Sequence, residues 1–343
     1  MIKTKKPVFP VRPYQKPGKT FCIPTNDRKQ NEMLCSPERN LTMNRILVLM
    51  ATYNGASYLR EQLDSILNQK DVQVNILISD DCSEDETGLI LEEYSRKHPN
   101  IHVLRNDANQ GYRKNFIHLI QKADDGYNFY ALADQDDVWM DDKLKTASRK
   151  LEKFGKETPN LYYSNLTVAD SRLNPIGMME KEDDIRSFQR IHLLLENKCT
   201  GCTAVFNPKM KEYILRLKDD MILLPHDEII SRISLLYGEY FYDQSSHILY
   251  RQHQNNQIGT NKKHKLRKYL SFFFKGTKQY HGKDIDDLIS LFGPSDRIPE
   301  AETISGYEKS FGKRMKILFS RSIRKKGFKA NFIFKIAILI KKY

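Results

Sequence analysis

The run Ala133-Asp134-Gln135-Asp136-Asp137-Val138-Trp139 sets three carboxylates within four positions, directly after an apolar stretch. Charges of one sign so close together resist joint ionisation unless a cation or a set of donors compensates them. A hard divalent cation such as Mg2+ or Mn2+ does this, and its remaining coordination positions suit phosphate oxygens. The same carboxylates could instead cap a helix expected to begin near Met140, where the helix dipole favours negative charge. A calcium loop of the EF-hand type is excluded, because its sixth and twelfth positions call for Gly and Glu and here hold Trp139 and Lys145. A phosphatase using Asp134 as nucleophile and Asp136 as acid and base also accepts the pattern. In such enzymes, however, the motif opens the chain on its first strand, whereas here it follows the fourth.

Two further polar segments follow apolar runs. Ala51-Thr52-Tyr53-Asn54-Gly55 lacks both the G-x-G-x-x-G fingerprint and the G-x-x-x-x-G-K-[ST] loop, which argues against a nicotinamide enzyme and a P-loop kinase. Ser79-Asp80-Asp81-Cys82-Ser83 offers carboxylates able to accept a hydrogen bond from a pyrimidine N3–H. Cys199 and Cys202 form a C-x-x-C pair with no second pair beside it, so a packing role is expected rather than zinc or redox chemistry.

These loops need a frame. Short β-rich runs alternate with helical periodicity from Arg45 to about Asn165, the signature of βαβ units and a mostly parallel sheet. Strands are expected at Ile46 to Ala51, Val74 to Ser79, Ile101 to Arg105 and Phe129 to Ala133. Helices are expected through Tyr58 to Leu67, from near Asp85 to Lys97, and around Phe116 to Ile120. Later strands are expected at Thr203 to Phe206 and His247 to Arg251, and a helix at Asp227 to Tyr237. In an open α/β sheet ligands bind beyond the carboxyl ends of the strands, so the polar loops should meet at one crevice.

Taken in order, Ala-Thr-Tyr-Asn-Gly at 51 to 55, Asp-Asp-Cys-Ser-Glu-Asp-Glu-Thr at 80 to 87, Asn109-Gln110-Gly111 and Asp-Gln-Asp-Asp-Val-Trp at 134 to 139 resemble the family 2 glycosyltransferases of the GT-A fold, the rhamnosyltransferase-like members in particular. The resemblance runs from about Arg45 to Gly259. It implies an α/β fold with a GT-A-like sheet flanked by helices, and inverting transfer from a nucleotide-sugar donor, dTDP-rhamnose-like or a UDP-sugar. It implies that Thr52 and Tyr53 contact the base, that Asp81 reads the base edge, and that Asp134 holds the ribose side. Asp136 would bind the metal bridging the diphosphate, with Asp137 behind it. An attacking hydroxyl must lose a proton, and the resemblance places the base in Leu224-Pro225-His226-Asp227-Glu228, with Asp227 preferred, Glu228 its nearest substitute and His226 orienting or structural. A helix cap is the other reading of Asp227. In Tyr250-Arg251-Gln252-His253 the resemblance lets His253 complete the metal shell or touch the diphosphate; a surface loop is the alternative.

Charge divides the chain. Residues 1–42 carry 9 basic and 3 acidic side chains, residues 311–343 carry 11 basic and none acidic, and the middle is slightly acidic within a formal net charge of +13. Three regions are expected: an irregular proline-bearing extension at 1–42, the glycosyltransferase domain at 43–260, and a helical basic region at 261–343. The last interleaves cations with Phe, Ile and Leu, which suits an amphipathic anchor on an anionic inner membrane surface. Nucleic acid is not an expected partner, since no reading motif accompanies the charge. With few cysteines, no apolar run long enough to span a bilayer and no signal peptide, a cytoplasmic protein on the inner face of the membrane is expected. A glycan or lipid-linked acceptor would suit that place, as would a part in bacterial surface polysaccharide synthesis. An aspartyl phosphatase and a non-catalytic membrane-binding protein are the rival functions.

Overall fold

The structure is a computed structural model describing residues 43–180, 188–253, 281–341 and 343. The extension expected at 1–42, the boundary near 260 and the end of the late motif at Gln254-Asn255-Asn256 lie outside the described residues.

The first half alternates strand and helix: β1 (Asn44–Thr52), α1 (Leu59–Leu67), β2 (Val72–Asp80), α2 (Thr87–Lys97), β3 (Ile101–Arg105), α3 (Tyr112–Lys122) and β4 (Phe129–Ala133). β1 reads as a continuous apolar run because both of its faces are covered. Side chains alternate along a strand, so Ile46, Val48 and Met50 share a core with Leu59 and Leu63 of α1 and Ile90 of α2. Leu47 and Leu49 share the other core with Phe116, Ile117 and Ile120 of α3.

Then follow β5 (Val138–Trp139), α4 (Lys143–Leu151), β6 (Leu161–Ala169), β7 (Pro175–Met178), α5 (Arg190–Leu195), β8 (Val205–Phe206), α6 (Pro208–Ile214), α7 (His226–Tyr237) and β9 (Tyr240–Arg251). Two local expectations shift. The helix expected near Met140 starts at Lys143, because Val138 and Trp139 are drawn into pairing with Leu249 and Ile248. The strand expected from Thr203 keeps only Val205 and Phe206, since Gly201–Thr203 closes a 3-10 turn.

The sheet runs β3-β2-β1-β4-β8-β6-β9-β5, with β7 on β6. Its first four strands are parallel, and the later half mixes parallel β6–β9 with antiparallel β4–β8, β6–β8, β6–β7 and β5–β9 pairs. Register decides function here. Thr52 pairs with Asp80 and Met50 with Ala133, so β1, β2 and β4 end level and their loops emerge on one edge. The antiparallel β5–β9 pair then carries the end of β9 back to the loop after β4.

Four more helices close the chain: α8 (His281–Phe292), α9 (Ala301–Ile304), α10 (Phe311–Phe319) and α11 (Phe328–Leu339). Ile285, Leu288, Ile317, Phe334 and Ile338 belong to the same apolar cluster as Leu49 and Ile230. Arg232 of α7, fully buried, is held by Asp284 at 3.0 Å and Glu228 at 2.8 Å. Two carboxylates against one guanidinium satisfy a cation that could not otherwise be buried. Among the described residues no helix is long and apolar enough to cross a membrane.

Candidate active site

The loop after β1 is held by the loop after β2. Asp80, buried, accepts from the Thr52 hydroxyl at 3.1 Å and from the Ser83 amide at 3.1 Å. Asn54 takes a left-handed turn (φ 46°), and its carboxamide oxygen accepts the Glu84 amide at 2.9 Å while its own amide donates to the Ser83 hydroxyl at 2.9 Å. Asn tolerates that conformation because its short polar side chain bonds locally. Thr52 is thus buried and engaged, whereas Tyr53 is 44% exposed and free to offer a ring face.

Asp81 is buried as well. Its Oδ1 accepts from Asn106 Nδ2 and the Gln110 amide, both at 2.9 Å, and its Oδ2 accepts the Gly111 amide at 2.9 Å. A carboxylate has about four lone-pair sites, so one place on Oδ2 remains for a ligand donor. The Asn109-Gln110-Gly111 motif therefore serves Asp81.

The loop after β4 meets the loop after β1 through Gln135 and Tyr53. Asp136 Oδ2 lies 2.8 Å from His253 Nε2, and the His253 ring sits 4.9 Å from that of Tyr58. Two residues 117 apart in sequence thus converge on the open side of the loop. Asp134 is pushed up to about 7, first by burial, then by Asp136 and by Asp227. Asp227 is likewise pushed up to about 7, by burial and then by Glu228. The structure so gathers Asp134, Asp136, His253 and Asp227 in one place, with Thr52, Tyr53 and Asp81 on the neighbouring loops of the same edge.

Asp227 is the second residue of α7, whose N-cap is Pro225. It does not close the helix as an N-cap side chain. Its Oδ2 accepts from Asn197 Nδ2 at 3.2 Å and its Oδ1 from the Glu228 amide at 2.9 Å. His226 beside it is buried, stacks on Phe116 at 3.9 Å between ring centroids, and makes no hydrogen bond among the described residues. Burial lowers it to about 3, so it stays neutral. A Cβ at Gly201 would stand 2.4 Å from His226 Nε2, which is why that position has none.

Asp137 faces inward. It is fully buried and accepts the Arg251 amide at 3.2 Å on Oδ1, while Oδ2 has no hydrogen-bond partner within ordinary distance among the described residues and lies toward the Cys202 thiol. Burial first, then Asp136 and Asp134, raise it well above the usual carboxylate range. Asp134, Asp137 and Cys202 offer ligand atoms within 4.8 Å of one another. Cys202 therefore lies under the acidic loop, while Cys199 lies toward Asp227. The C-x-x-C pair is split between two surroundings, both thiols free.

On the open side of the loop Asp136 has His253 as its partner, while the buried oxygen left without a hydrogen bond among the described residues is Asp137 Oδ2, beneath the loop. The donors within 4.8 Å of one another among the described residues are Asp134, Asp137 and Cys202; the Asp136–His253 pair, in the same loop region, adds the oxygen and nitrogen donor types a Mn2+ or Mg2+ site accepts. Asp137 and the soft Cys202 sulfur stay behind the loop rather than on its open side.

Several residues that build the site carry no signal in the sequence. Arg251, buried, donates from Nε to the Asp136 carbonyl at 2.9 Å and from Nη1 to the Ser171 carbonyl at 2.7 Å, pairs with Glu61, and stacks over Tyr58 at 4.4 Å. Gln62 Nε2 donates to the Asp134 carbonyl at 3.0 Å. Lys143, fully buried, sits 3.6 Å from the centroid of the Trp139 ring with no hydrogen bond, and burial lowers it to about 7. The contacts of Arg251 and Gln62 reach 72 residues or more along the chain, so no local pattern announces them; Lys143, four residues from Trp139, is marked only by its burial.

Residues 47–216 match the model of glycosyl transferase family 2. The chain is 35% identical over 223 residues to the dTDP-rhamnosyl transferase RfbG of Shigella flexneri, covering 62% of this chain and 74% of that protein. An uncharacterized glycosyltransferase of Rickettsia prowazekii is 24% identical over 197 residues, covering 55% of this chain and 58% of its own. In fold the chain is similar to residues 1–349 of TarS from S. aureus, solved with UDP-GlcNAc: TM-score 0.51 at 15% identity, over 81% of this chain and 74% of that one. The phosphatase and non-catalytic readings give way to these likenesses. An ordered set of loops on one sheet edge, a 35% identical relative covered over most of its length, and a matching family model agree: the chain belongs to glycosyl transferase family 2 and is a glycosyltransferase of the GT-A fold.

Proposed function

We propose that the enzyme moves a sugar, with inversion, from a nucleotide-sugar donor to a hydroxyl of a glycan or lipid-linked acceptor in surface polysaccharide synthesis. A dTDP-rhamnose-like donor is favoured, in keeping with the named activity of the Shigella relative, and a UDP-sugar is next. One observation carries the reading: Asp136 and His253 pair at 2.8 Å in the acidic loop, and the charges of Asp136 and Asp227 both act on Asp134, which puts the cation-holding pair and the base in one neighbourhood.

On this reading Tyr53 stacks on the base, Asp81 accepts from its edge, and the backbone beside Thr52 sets the approach. Asp134 holds the ribose side. Asp136 and His253 hold Mg2+ or Mn2+, which when bound neutralises the charge developing on the departing diphosphate. Asp227 accepts the proton of the acceptor hydroxyl as its oxygen bonds to the anomeric carbon and the carbon–oxygen bond to the diphosphate breaks. A base pushed up to about 7 is poised to take and release a proton near neutral pH. The cations and exposed apolar side chains of the C-terminal region turn toward an anionic membrane surface on the cytoplasmic side, where a lipid-linked acceptor is presented.

The test is thermal denaturation with a panel of sugar nucleotides, with and without Mn2+. A ligand that binds only the folded state raises its stability by mass action. Stabilisation by dTDP-rhamnose that requires the metal is the expected result, and none from any donor would sink the proposal.

A further inference from the structure

Away from the catalytic edge, the segment between α10 and α11 folds against α5 around a cavity of about 520 Å3 lined by His192, Arg321, Arg324, Lys325, Lys326 and Phe328, among others. No carboxylate lines it among the described residues. Arg321 and Arg324 are exposed, and neither they nor Lys326 form an ion pair among the described residues. Lys325 lies half-buried, 5.4 Å from the centroid of the Tyr343 ring, and Lys326 lies 4.5 Å from that of Phe188. Aromatic rings hold both cations, and Glu196 and Glu228, outside the lining, offset part of the charge of Lys325. His192 is lowered by burial and then by Arg324 and Lys326, which reports the same positive field from inside the cavity.

Beside the cavity lies an apolar stripe. Phe328 is 90% exposed, Phe332 58% and Leu339 53%. At about 100° per residue these three positions of α11 fall within about 40° of one another. Phe319, at the end of α10, is 83% exposed as well. Grouped exposed apolar side chains mark a surface suited to a partner or a membrane, and the cations next to them favour an anionic amphiphile.

The cavity is also tied to the catalytic base. The Lys326 amide donates to Glu196 Oε1 at 3.0 Å, and the next residue, Asn197, holds Asp227 Oδ2 at 3.2 Å. A group bound at 321–328 is thereby fixed relative to Asp227 through a short run of chain.

We infer that this cavity is a binding site for the phosphate of an anionic lipid, with Arg321, Arg324 and Lys326 around the phosphate and Phe328 and Phe332 entering the acyl layer beside it. The inference rests on the membrane-facing reading of the C-terminal region and makes it specific, turning a diffuse basic tail into a built headgroup site.

The test is sedimentation of the full chain with vesicles of phosphatidylcholine alone and of phosphatidylcholine with phosphatidylglycerol. Binding is expected to the second only. Each cation near such a surface contributes about five-fold in affinity, so Arg321→Gln/Arg324→Gln should weaken binding about thirty-fold. Phe328→Ser should weaken it too, through the apolar side alone. The control Lys316→Gln/Lys341→Gln removes the same charge at exposed positions outside the cavity and should cost less than about five-fold. Equal loss in control and cavity variants would overturn the site and leave the membrane-facing tail standing. Failure of the unmodified chain to bind anionic vesicles would overturn both. Binding of inorganic phosphate by titration calorimetry with none to vesicles would make the occupant a free phosphate and overturn the lipid.

Discussion

Gln135 grips the backbone of Tyr53 from both sides: its Oε1 accepts the Tyr53 amide at 2.8 Å and its Nε2 donates to the Tyr53 carbonyl at 3.0 Å. A side chain in the acidic loop thus sets the position of the residue proposed to stack on the base. The loops after β1 and β4, joined here by residues 82 apart in sequence, are thereby held together.

Gly55 makes that grip possible, since a Cβ there would stand 2.1 Å from Gln135 Oε1. Gly55→Ala should displace the carboxamide and loosen Tyr53. The expected result is a donor KM raised about ten-fold or more with little change in far-ultraviolet circular dichroism, because misplaced binding groups cost affinity before they cost fold. Gln135→Ala should do the same without steric conflict. An unchanged donor KM in both variants would show that the grip is ornamental.

His253 and Asp136 make a sharper case. If they hold the cation, His253→Gln should weaken Mn2+ binding at least about ten-fold, and Asp136→Ala should abolish metal-dependent stabilisation altogether. The readout is the Mn2+ concentration at which nucleotide raises the melting temperature. A merely structural pair would lower the melting temperature equally with and without metal.

Arg251 is placed to act through the acidic loop rather than on substrate. Its planar fork donates to two carbonyls and pairs with Glu61, a geometry Lys cannot reproduce. Arg251→Lys should lower kcat/KM about ten-fold or more while raising the Mn2+ requirement, because the Asp136 carbonyl loses its anchor. Loss of stability alone, with metal response intact, would confine Arg251 to the core.

The parallel half of the fold was legible because each strand is an apolar run and each helix an apolar periodicity, so β3 and β4 run from Ile101 to Arg105 and from Phe129 to Ala133 as expected. The second half was less so. β6 and β9 are parallel partners separated by α5, α6 and α7, and no local pattern announces such a pairing. The same holds for the site. Asp134, Asp136 and Asp227 are conspicuous as acids in loops or at a helix start, but Asp80, Gln62 and Arg251 matter through contacts that only the tertiary fold creates. Tail cations could be counted in the sequence; that Arg321 and Arg324 share a cavity with His192 of α5 could not.

The pH dependence of Asp227 joins stability to chemistry. Its carboxyl, ordinarily near 4, is pushed up to about 7 by burial and then by Glu228. Between those values the unfolded chain has released the proton and the folded chain retains it. The stability linked to Asp227 is therefore whole below about pH 4 and is lost as pH rises through about 7. Activity runs the other way, because a base must be ionised to accept a proton: kcat/KM should climb with pH and level off above an apparent pKa near 7. Asp134, pushed up to about 7 by burial and then by Asp136 and Asp227, titrates in the same range, so the limb is not Asp227's alone. Asp227→Asn removes the ionisation while keeping the shape. It should lower kcat by about 10²–10⁴-fold and melt higher than the native enzyme at pH 8 but level with it near pH 4, as paired rate profiles and thermal scans would read. A variant that keeps its rate within ten-fold would strip Asp227 of the role of base, and one that melts lower at pH 8 would contradict the burial from which its poise follows.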